Sequence, residues 1–282
     1  MRPSPDNNPV LTVSEWLVAA GHSGLPRLDA ELVLAHALNK PRSWLYAWPE
    51  IPLPANARQR ADALWHRRVA GEPLAYLTGS KEFYGLALKV SPDTLIPRPE
   101  TEALVDAVLE LHRQHPVTRV LDLGAGTGAI ALAVKSLLPD CDVWATDASR
   151  KALRVASENA QKLNLALRLF CGDWFAALPT SAPRFDVIIS NPPYIDPTDS
   201  HLAALRHEPA SALVAEDGGL ADLRQLIRKA PDHLRDGGWL ILEHGHDQGQ
   251  VVREAMLDAG YHRIETRPDL AGLDRYTLGR RP

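Results

Sequence analysis

The stretch that most limits how this chain can fold is "VLDLGAGTGAIAL", residues 120–132. A buried strand runs directly into three alternating glycines and then into an apolar helix. Gly124, Gly126 and Gly128 let the backbone turn tightly and approach a ligand closely. Gly124, Gly126 and Ala129 also fill the three small positions of the dinucleotide-binding fingerprint. The sequence around this loop keeps the same rhythm. The strands "RVLDL", "DVWATD", "LRLFC", "FDVIIS" and "WLILEH" alternate with the helices "AIALAVKSLL", "SRKALRVASENAQKL" and "LADLRQLIRKAPDHL". That alternation predicts an α/β fold, a Rossmann-like doubly wound parallel sheet with both faces covered. "YHRIETRPDLAGLDRYTLGR" offers two strands with no helix between them, so the last strand is expected to enter antiparallel.

The first part of the chain has a different texture. Residues 11 to about 78 read as helices, giving a small N-terminal helical bundle over residues 1–80. "TVSEWLVAAG" starts on Thr12 or Ser14 as N-cap and stops at Gly21. "RLDAELVLAHALN" sets Leu28, Leu32, Ala35 and Leu38 near one helical face. "ANARQRADALWHRRVAGEP" is a third helix, ended by Gly71 and Pro73. Trp16, Trp44, Trp48 and Trp65 are four of the seven tryptophans, and core packing is the plain reading of them. A partner-binding surface is the alternative. Residues 81–97 alternate and carry Gly85 and Pro92, which predicts a β-hairpin linker before a catalytic domain at 98–282. "RPETEALVDAVLELHRQH" opens a helix with Glu100 and Glu102 in its first turn, where the helix dipole favours acids.

Composition excludes several classes. The chain of 282 residues carries a net charge of −4, which gives no general pull toward nucleic acid. Cys141 and Cys171, the only two cysteines, form neither a disulfide framework nor a metal-ligand spacing, which points to a reducing cytoplasm. The opening "MRPSPDNNPV" lacks the apolar core of a signal peptide, and no long apolar run is present to span a membrane. The eleven histidines show no pattern of metal ligands, so no metal is expected. Nothing demands more than a monomer.

Asp147 closes the second strand about 20 residues after the glycine loop, where a carboxylate commonly binds ribose hydroxyls. NAD and S-adenosylmethionine both carry a ribose, so neither the loop nor Asp147 decides between them. A tight turn with a helix cap is the plain alternative. Asp173 and Trp174 in "CGDWF" fall at the same sheet edge. An acid and a flat ring there suit an adenine, against the alternative of a capping acid and a core ring.

The fourth strand ends abruptly in Asn191-Pro192-Pro193-Tyr194. It should lie beside the first strand, across the switch point where ligands bind. Pro192 and Pro193 fix φ and remove two N–H donors, leaving carbonyls free to accept. The Asn191 side chain adds an acceptor oxygen, and Tyr194 can supply an aromatic wall. Two acceptors grip the two hydrogens of a planar –NH2 group. An amide nitrogen is a poor nucleophile, and holding it against an electrophilic methyl supplies proximity and orientation. Acceptors aimed at its N–H groups stabilise the positive charge that builds there. S-adenosylmethionine carries such a methyl, whereas hydride transfer has no use for this clamp. A chance turn is the plain alternative. Arg98 and Glu100 could line the substrate channel or make an interdomain salt bridge. His207, Glu208 and Pro209 could belong to a lid or to a solvated loop.

"IPRPETE", "DLGAGTGAIAL", "GDWF", "SNPPYI", "HEP" and "DLAGLDRY" occur in one order, with "GEPLAYLTGSKEFYGL" before them. Together they closely resemble the release factor glutamine N5-methyltransferases, over nearly the whole chain. The resemblance implies a class I S-adenosylmethionine-dependent methyltransferase domain behind a helical substrate-recognition domain. It implies methyl transfer to the glutamine amide of the Gly-Gly-Gln motif in class I peptide-chain release factors, with S-adenosylhomocysteine as product. Cofactor contacts would fall on Gly124, Ala125, Gly126, Thr127, Gly128, Asp147, Trp174 and Asn191. Substrate contacts would fall on Asn191, Pro192, Pro193 and Tyr194, with Asn191, Pro192 and Tyr194 catalytic. Threonine is often found where this chain has Ala125, so one polar contact is lost. "NPPY" alone is shared with adenine N6-methyltransferases acting on DNA or RNA. That second reading would need a basic track or a target-reading domain, and this chain is acidic. A non-catalytic binding module would need a broken site, and the glycines, Asp147 and Asn191 are all present.

Overall fold

A computed structural model describes residues 11–282, so the reading of the opening ten residues lies outside it. Contacts divide the chain into two compact units, with the break between Gly79 and Ser80. Among the described residues no helix is long and apolar enough to cross a membrane.

Among the described residues the first unit holds five helices: α1 (Val13–Gly21), α2 (Arg27–Leu38), α3 (Arg42–Ala47), α4 (Ala55–Val69) and α5 (Leu74–Thr78). Thr12 rather than Ser14 caps α1, in a reciprocal capping box with Glu15. The expected face of α2 is corrected. Of its four residues only Ala35 is buried, and Leu28 is exposed. Ala30, Val33, Leu34, Ala35 and Ala37 are buried instead, because α2 is packed by α1, α3, α4 and α5 and so has no single apolar face. Glu31 is buried among them, held by Arg27 at 2.9 Å and by the Tyr46 hydroxyl at 2.7 Å. Trp16 and Trp65 pack edge to face with ring centres 6.0 Å apart, and the Trp16 indole donates to Asp62. Trp44 is half-buried and Trp48 is exposed, so the four tryptophans do not share one core.

The second unit opens with the hairpin β1 (Ser80–Phe83) and β2 (Leu86–Lys89), turned at Tyr84 and Gly85, both with positive φ. Its backbone is held by Asn159, whose side chain accepts from the Lys89 N–H at 2.6 Å and donates to the Lys89 carbonyl at 3.0 Å. A 3₁₀ turn at Pro99–Thr101 leads into α6 (Glu102–Gln114). The remaining elements are β3 (Arg119–Leu123), α7 (Ala129–Leu137), β4 (Asp142–Asp147), α8 (Arg150–Leu163), β5 (Arg168–Cys171) and β6 (Phe185–Ser190). They continue with the single turn α9 (Glu216–Gly219), α10 (Ala221–Lys229), β7 (Leu234–Glu243), α11 (Gly249–Asp258), β8 (His262–Pro268) and β9 (Asp274–Arg280).

The seven strands lie in the order β5-β4-β3-β6-β7-β9-β8. β5, β4, β3, β6 and β7 are mutually parallel, and β9 enters antiparallel between β7 and β8. Helices α6, α7 and α8 cover one face through Val108, Leu132 and Ala160, while α10 and α11 cover the other through Leu226 and Met256. β6 is buried along all six residues, as a central parallel strand must be. Its pairing with β3 is fixed at both ends. The Asp186 carboxylate accepts from the Thr118 and Arg119 N–H groups at 2.7 and 2.9 Å. At the other end the Ser190 hydroxyl donates to the Leu123 carbonyl at 2.6 Å. Leu123 and Ser190 are paired, so Gly124 and Asn191 leave the sheet side by side at the switch point.

Candidate active site

The glycine loop is held from the next strand. The N–H groups of Gly124 and Ala125 both donate to the Thr146 carbonyl at 2.9 Å. The Gly126 N–H donates to the Asp147 carboxylate at 2.8 Å, and the Ser149 N–H donates to its other oxygen at 2.7 Å. Burial raises the Asp147 carboxyl above its ordinary range, and these two donors pull it back. Gly124 has φ +77°, and a Cβ there would sit 3.1 Å from the Trp174 ring. The loop thus brings backbone against an aromatic wall at a position where a side chain would crowd the ring. The Trp174 indole donates to Asp222 at 3.2 Å.

These groups line a cavity of about 260 Å³, with Gly124, Gly126, Asp147, Asp173, Trp174 and Asn191 among its walls. Ala125, Thr127 and Gly128, expected at the cofactor, do not line it. Ala125 is buried against the core on one face of the sheet. Thr127 accepts from Asn159 through its carbonyl. Gly128 caps α7, where a Cβ would meet Ala156 at 3.2 Å. These three shape the loop from behind.

A second cavity of about 270 Å³ opens on the other side of Asn191. Pro192 and Tyr194 line it with Leu95, Arg98, Leu205 and Leu213, and Pro193 lines the first cavity instead. Asn191 belongs to both walls. Arg98 is bound by Glu208 within this same unit, so the expected alternative of an interdomain bridge gives way. The other oxygen of Glu208 accepts from the Ile96 N–H at 3.0 Å, and Glu208 is buried. The "RPETE" and "HEP" segments are therefore tied into one rim. Glu100 is exposed and lines neither cavity.

Behind the clamp lies a buried polar chain. Asn191 Nδ2 donates to Thr101 Oγ1 at 3.2 Å, and Thr101 Oγ1 donates to Glu243 Oε2 at 2.7 Å. The Tyr194 hydroxyl donates to Glu243 Oε1 at 3.1 Å. Burial pushes the Glu243 carboxyl up to about 7 and, with the Glu243 charge, raises the Tyr194 hydroxyl. The Tyr194 carbonyl accepts from Gln248 at 3.0 Å, and the next residue, Ile195, is bridged to Leu213 and Ala215.

Residues 12–79 match the PrmC N-terminal domain, and residues 100–221 match the methyltransferase small domain. A release factor glutamine methyltransferase of Vibrio cholerae is 48% identical, over 94% of this chain and 93% of its own. Those of Escherichia coli and Neisseria gonorrhoeae are 47% and 45% identical, over 90% and 96% of this chain and 92% and 98% of theirs. This chain belongs to the release factor glutamine methyltransferase family.

Solved structures place the fold of this family member among the class I methyltransferases. A methyltransferase from Pyrococcus furiosus aligns with a TM-score of 0.52 at 20% identity, covering 79% of this chain and 98% of its own. The catalytic domain of human Mettl16, solved with an RNA hairpin, aligns at 0.57 and 18%, covering 77% and 81%. Release factor glutamine methyltransferases use S-adenosylmethionine. The first cavity fits that molecule in kind: a carboxylate at the end of β4 for ribose hydroxyls, a ring and an acid for adenine, and glycine backbone where a bulky ligand must pass. Sequence reasoning missed Thr101, Asp222, Glu243 and Gln248 at this candidate site. Thr101 and Glu243 stand 142 residues apart, and no local pattern joins them.

Proposed function

We propose that this chain methylates the side-chain amide nitrogen, N5, of the glutamine in the Gly-Gly-Gln motif of class I peptide-chain release factors, and so modulates translation termination. The observation that carries this reading is the position of Asn191, one residue beyond the β3–β6 pairing and in the wall of both cavities. In this reading Gly124, Gly126, Asp147, Asp173 and Trp174 hold the cofactor, and Asn191, Pro192, Pro193 and Tyr194 receive the substrate. When bound, S-adenosylmethionine supplies an electrophilic methyl on a sulfonium. The Asn191 side-chain oxygen and the Pro192 carbonyl accept the two amide hydrogens, and Tyr194 packs on the amide plane. The nitrogen is held with its lone pair toward the first cavity. With S-adenosylmethionine bound, the N–C bond would form as the methyl–sulfur bond breaks, the electron pair would stay on sulfur in the leaving S-adenosylhomocysteine, and the two acceptors would stabilise the positive charge that passes to nitrogen. One amide proton then leaves to solvent, since an N-alkylated amide carrying that charge is very acidic.

Residues 1–80 serve substrate recognition and 98–282 carry catalysis, with 81–97 between them, its hairpin packed within the catalytic unit. The match of residues 12–79 to the PrmC N-terminal domain supports the first of these boundaries. The partner is a protein rather than a nucleic acid, in keeping with a net charge of −4. The enzyme acts as a monomer in the cytoplasm. The test is transfer of labelled methyl to a recombinant release factor, with its Gly-Gly-Gln glutamine intact or changed to alanine, and with DNA in parallel. Label on the intact factor alone supports the reading. Label on DNA would mean that the clamp grips an adenine amine.

A further inference from the structure

We propose that Thr101 and Glu243 are positioning residues that decide which way round the Asn191 amide faces, and so make the clamp an acceptor. This rests on the glutamine reading above. An asparagine side chain has two ends of nearly equal size and opposite hydrogen-bonding character. Only with Oδ1 toward the second cavity can Asn191 accept from a substrate –NH2. Packing alone does not distinguish the two ends, so a partner behind Asn191 must take up Nδ2.

Thr101 Oγ1 is that partner, at 3.2 Å. A hydroxyl can donate or accept, and by itself it would tolerate either end of the amide. Its single proton is committed elsewhere, to Glu243 Oε2 at 2.7 Å. Only lone pairs then face Asn191. Thr101 is 4% exposed and Glu243 1% exposed, so water does not offer a substitute. The second oxygen of the same carboxylate accepts from the Tyr194 hydroxyl at 3.1 Å. One buried charge therefore orders two members of the clamp, from the end of β7 and through a turn of the "RPETE" segment. An ionised carboxylate can only accept, which sets the direction of every bond in the chain.

The polarity holds while Glu243 is ionised. The charged and titratable groups facing it are Glu100 beside Thr101, Tyr194 on the clamp loop, and Arg275 on β9, itself paired with Asp269 at 3.0 Å. His244 follows Glu243 in the chain, and burial lowers its pKa, so it stays neutral near pH 7. Burial outweighs the attraction of Arg275 and brings the carboxyl up to about 7. A proton on Oε2 must be donated to Thr101, whose own proton then turns to Asn191 and favours Oδ1 over Nδ2. A proton on Oε1 displaces that of Tyr194. Either way the clamp loses its order as pH falls through about 7.

The test uses the full-length enzyme, a recombinant release factor and the variants Thr101→Val, Thr101→Ser and Glu243→Gln. Thr101→Val should lower kcat on the order of 10²-fold, the scale of a misplaced reacting group, with S-adenosylmethionine affinity by calorimetry unchanged. Thr101→Ser should restore most of kcat. Glu243→Gln should lower kcat and remove the acid limb near pH 7. In the cofactor-free protein, the side-chain ¹⁵N–¹H resonance of Asn191, identified by its loss in Asn191→Ala, should shift through the same pH in wild type and stay fixed in Glu243→Gln. Wild-type kcat in Thr101→Val would overturn the proposal. So would equal loss in the Val and Ser variants, or an unchanged acid limb in Glu243→Gln. If Glu243→Gln does not fold, the Val and Ser pair still decides. Wild-type enzyme that fails to label the release factor would instead sink the glutamine reading itself.

Discussion

In the proposed function, one atom present and one atom absent account for much of what the site does. The first is the Asn191 side-chain oxygen. Asn191→Ala removes it without touching the sheet, because Ser190 and Leu123 remain paired. Turnover should fall about 10²- to 10³-fold, the usual cost of removing one preorganised electrostatic partner, with a nearly unchanged melting temperature. Steady-state kinetics beside thermal unfolding checks both halves. The second is the missing Cβ of Gly124. Gly124→Ala places a methyl 3.1 Å from the Trp174 ring at φ +77°. We expect S-adenosylmethionine to bind at least about tenfold more weakly, which is roughly 1.4 kcal/mol and is measurable by calorimetry. Asn191 was readable in the sequence because its proline neighbours advertise an unusual strand end. Glu243 was not, since an acid closing a strand looks the same whether it faces water or a buried threonine.

At the level of elements, the clamp depends on a segment that contributes no side chain to it. Gly219 has φ +83°, and a Cβ there would lie 2.2 Å from the Tyr194 carbonyl oxygen. Gly219→Ala must push α9 and the clamp loop apart and break the Gln248 bond to the same oxygen. Backbone strain of this kind costs about 1–3 kcal/mol, and kcat should fall with it while the sheet stays folded. Circular dichroism together with turnover separates those effects. The parallel strands were legible from the sequence, because a strand buried on both faces reads as an unbroken apolar run, as "FDVIIS" does. The face of α2 was not legible. A helix packed on several sides by small residues buries Ala30 and Ala37 and leaves Leu28 in water, against the simple period.

The whole molecule carries a pH signature that follows from its buried acids. Asp122 is buried beneath the glycine loop. One of its oxygens accepts from the Ala131 N–H at 3.1 Å and the other has no partner. Burial pushes its carboxyl from 3.8 up to about 7. A folded pKa above the unfolded one means stability that is complete at low pH and lost as pH rises through the folded value. Asp122→Asn lacks that loss. Its stability relative to wild type should rise between pH 3.8 and about 7, by up to about 1.4 kcal/mol per pH unit, and then level off. Urea unfolding at a series of pH values checks the slope.

The pairing of Leu123 with Ser190 has a consequence for the whole reaction path. In the proposed function, methyl donor and methyl acceptor are held by two chain segments that emerge from adjacent strands of one sheet. The two segments therefore start from backbones set at the interstrand spacing of roughly 4.8 Å. The backbone itself acts as a length standard. Loops on either side can vary to suit another cofactor edge or another substrate rim without detuning the distance across which the methyl must travel.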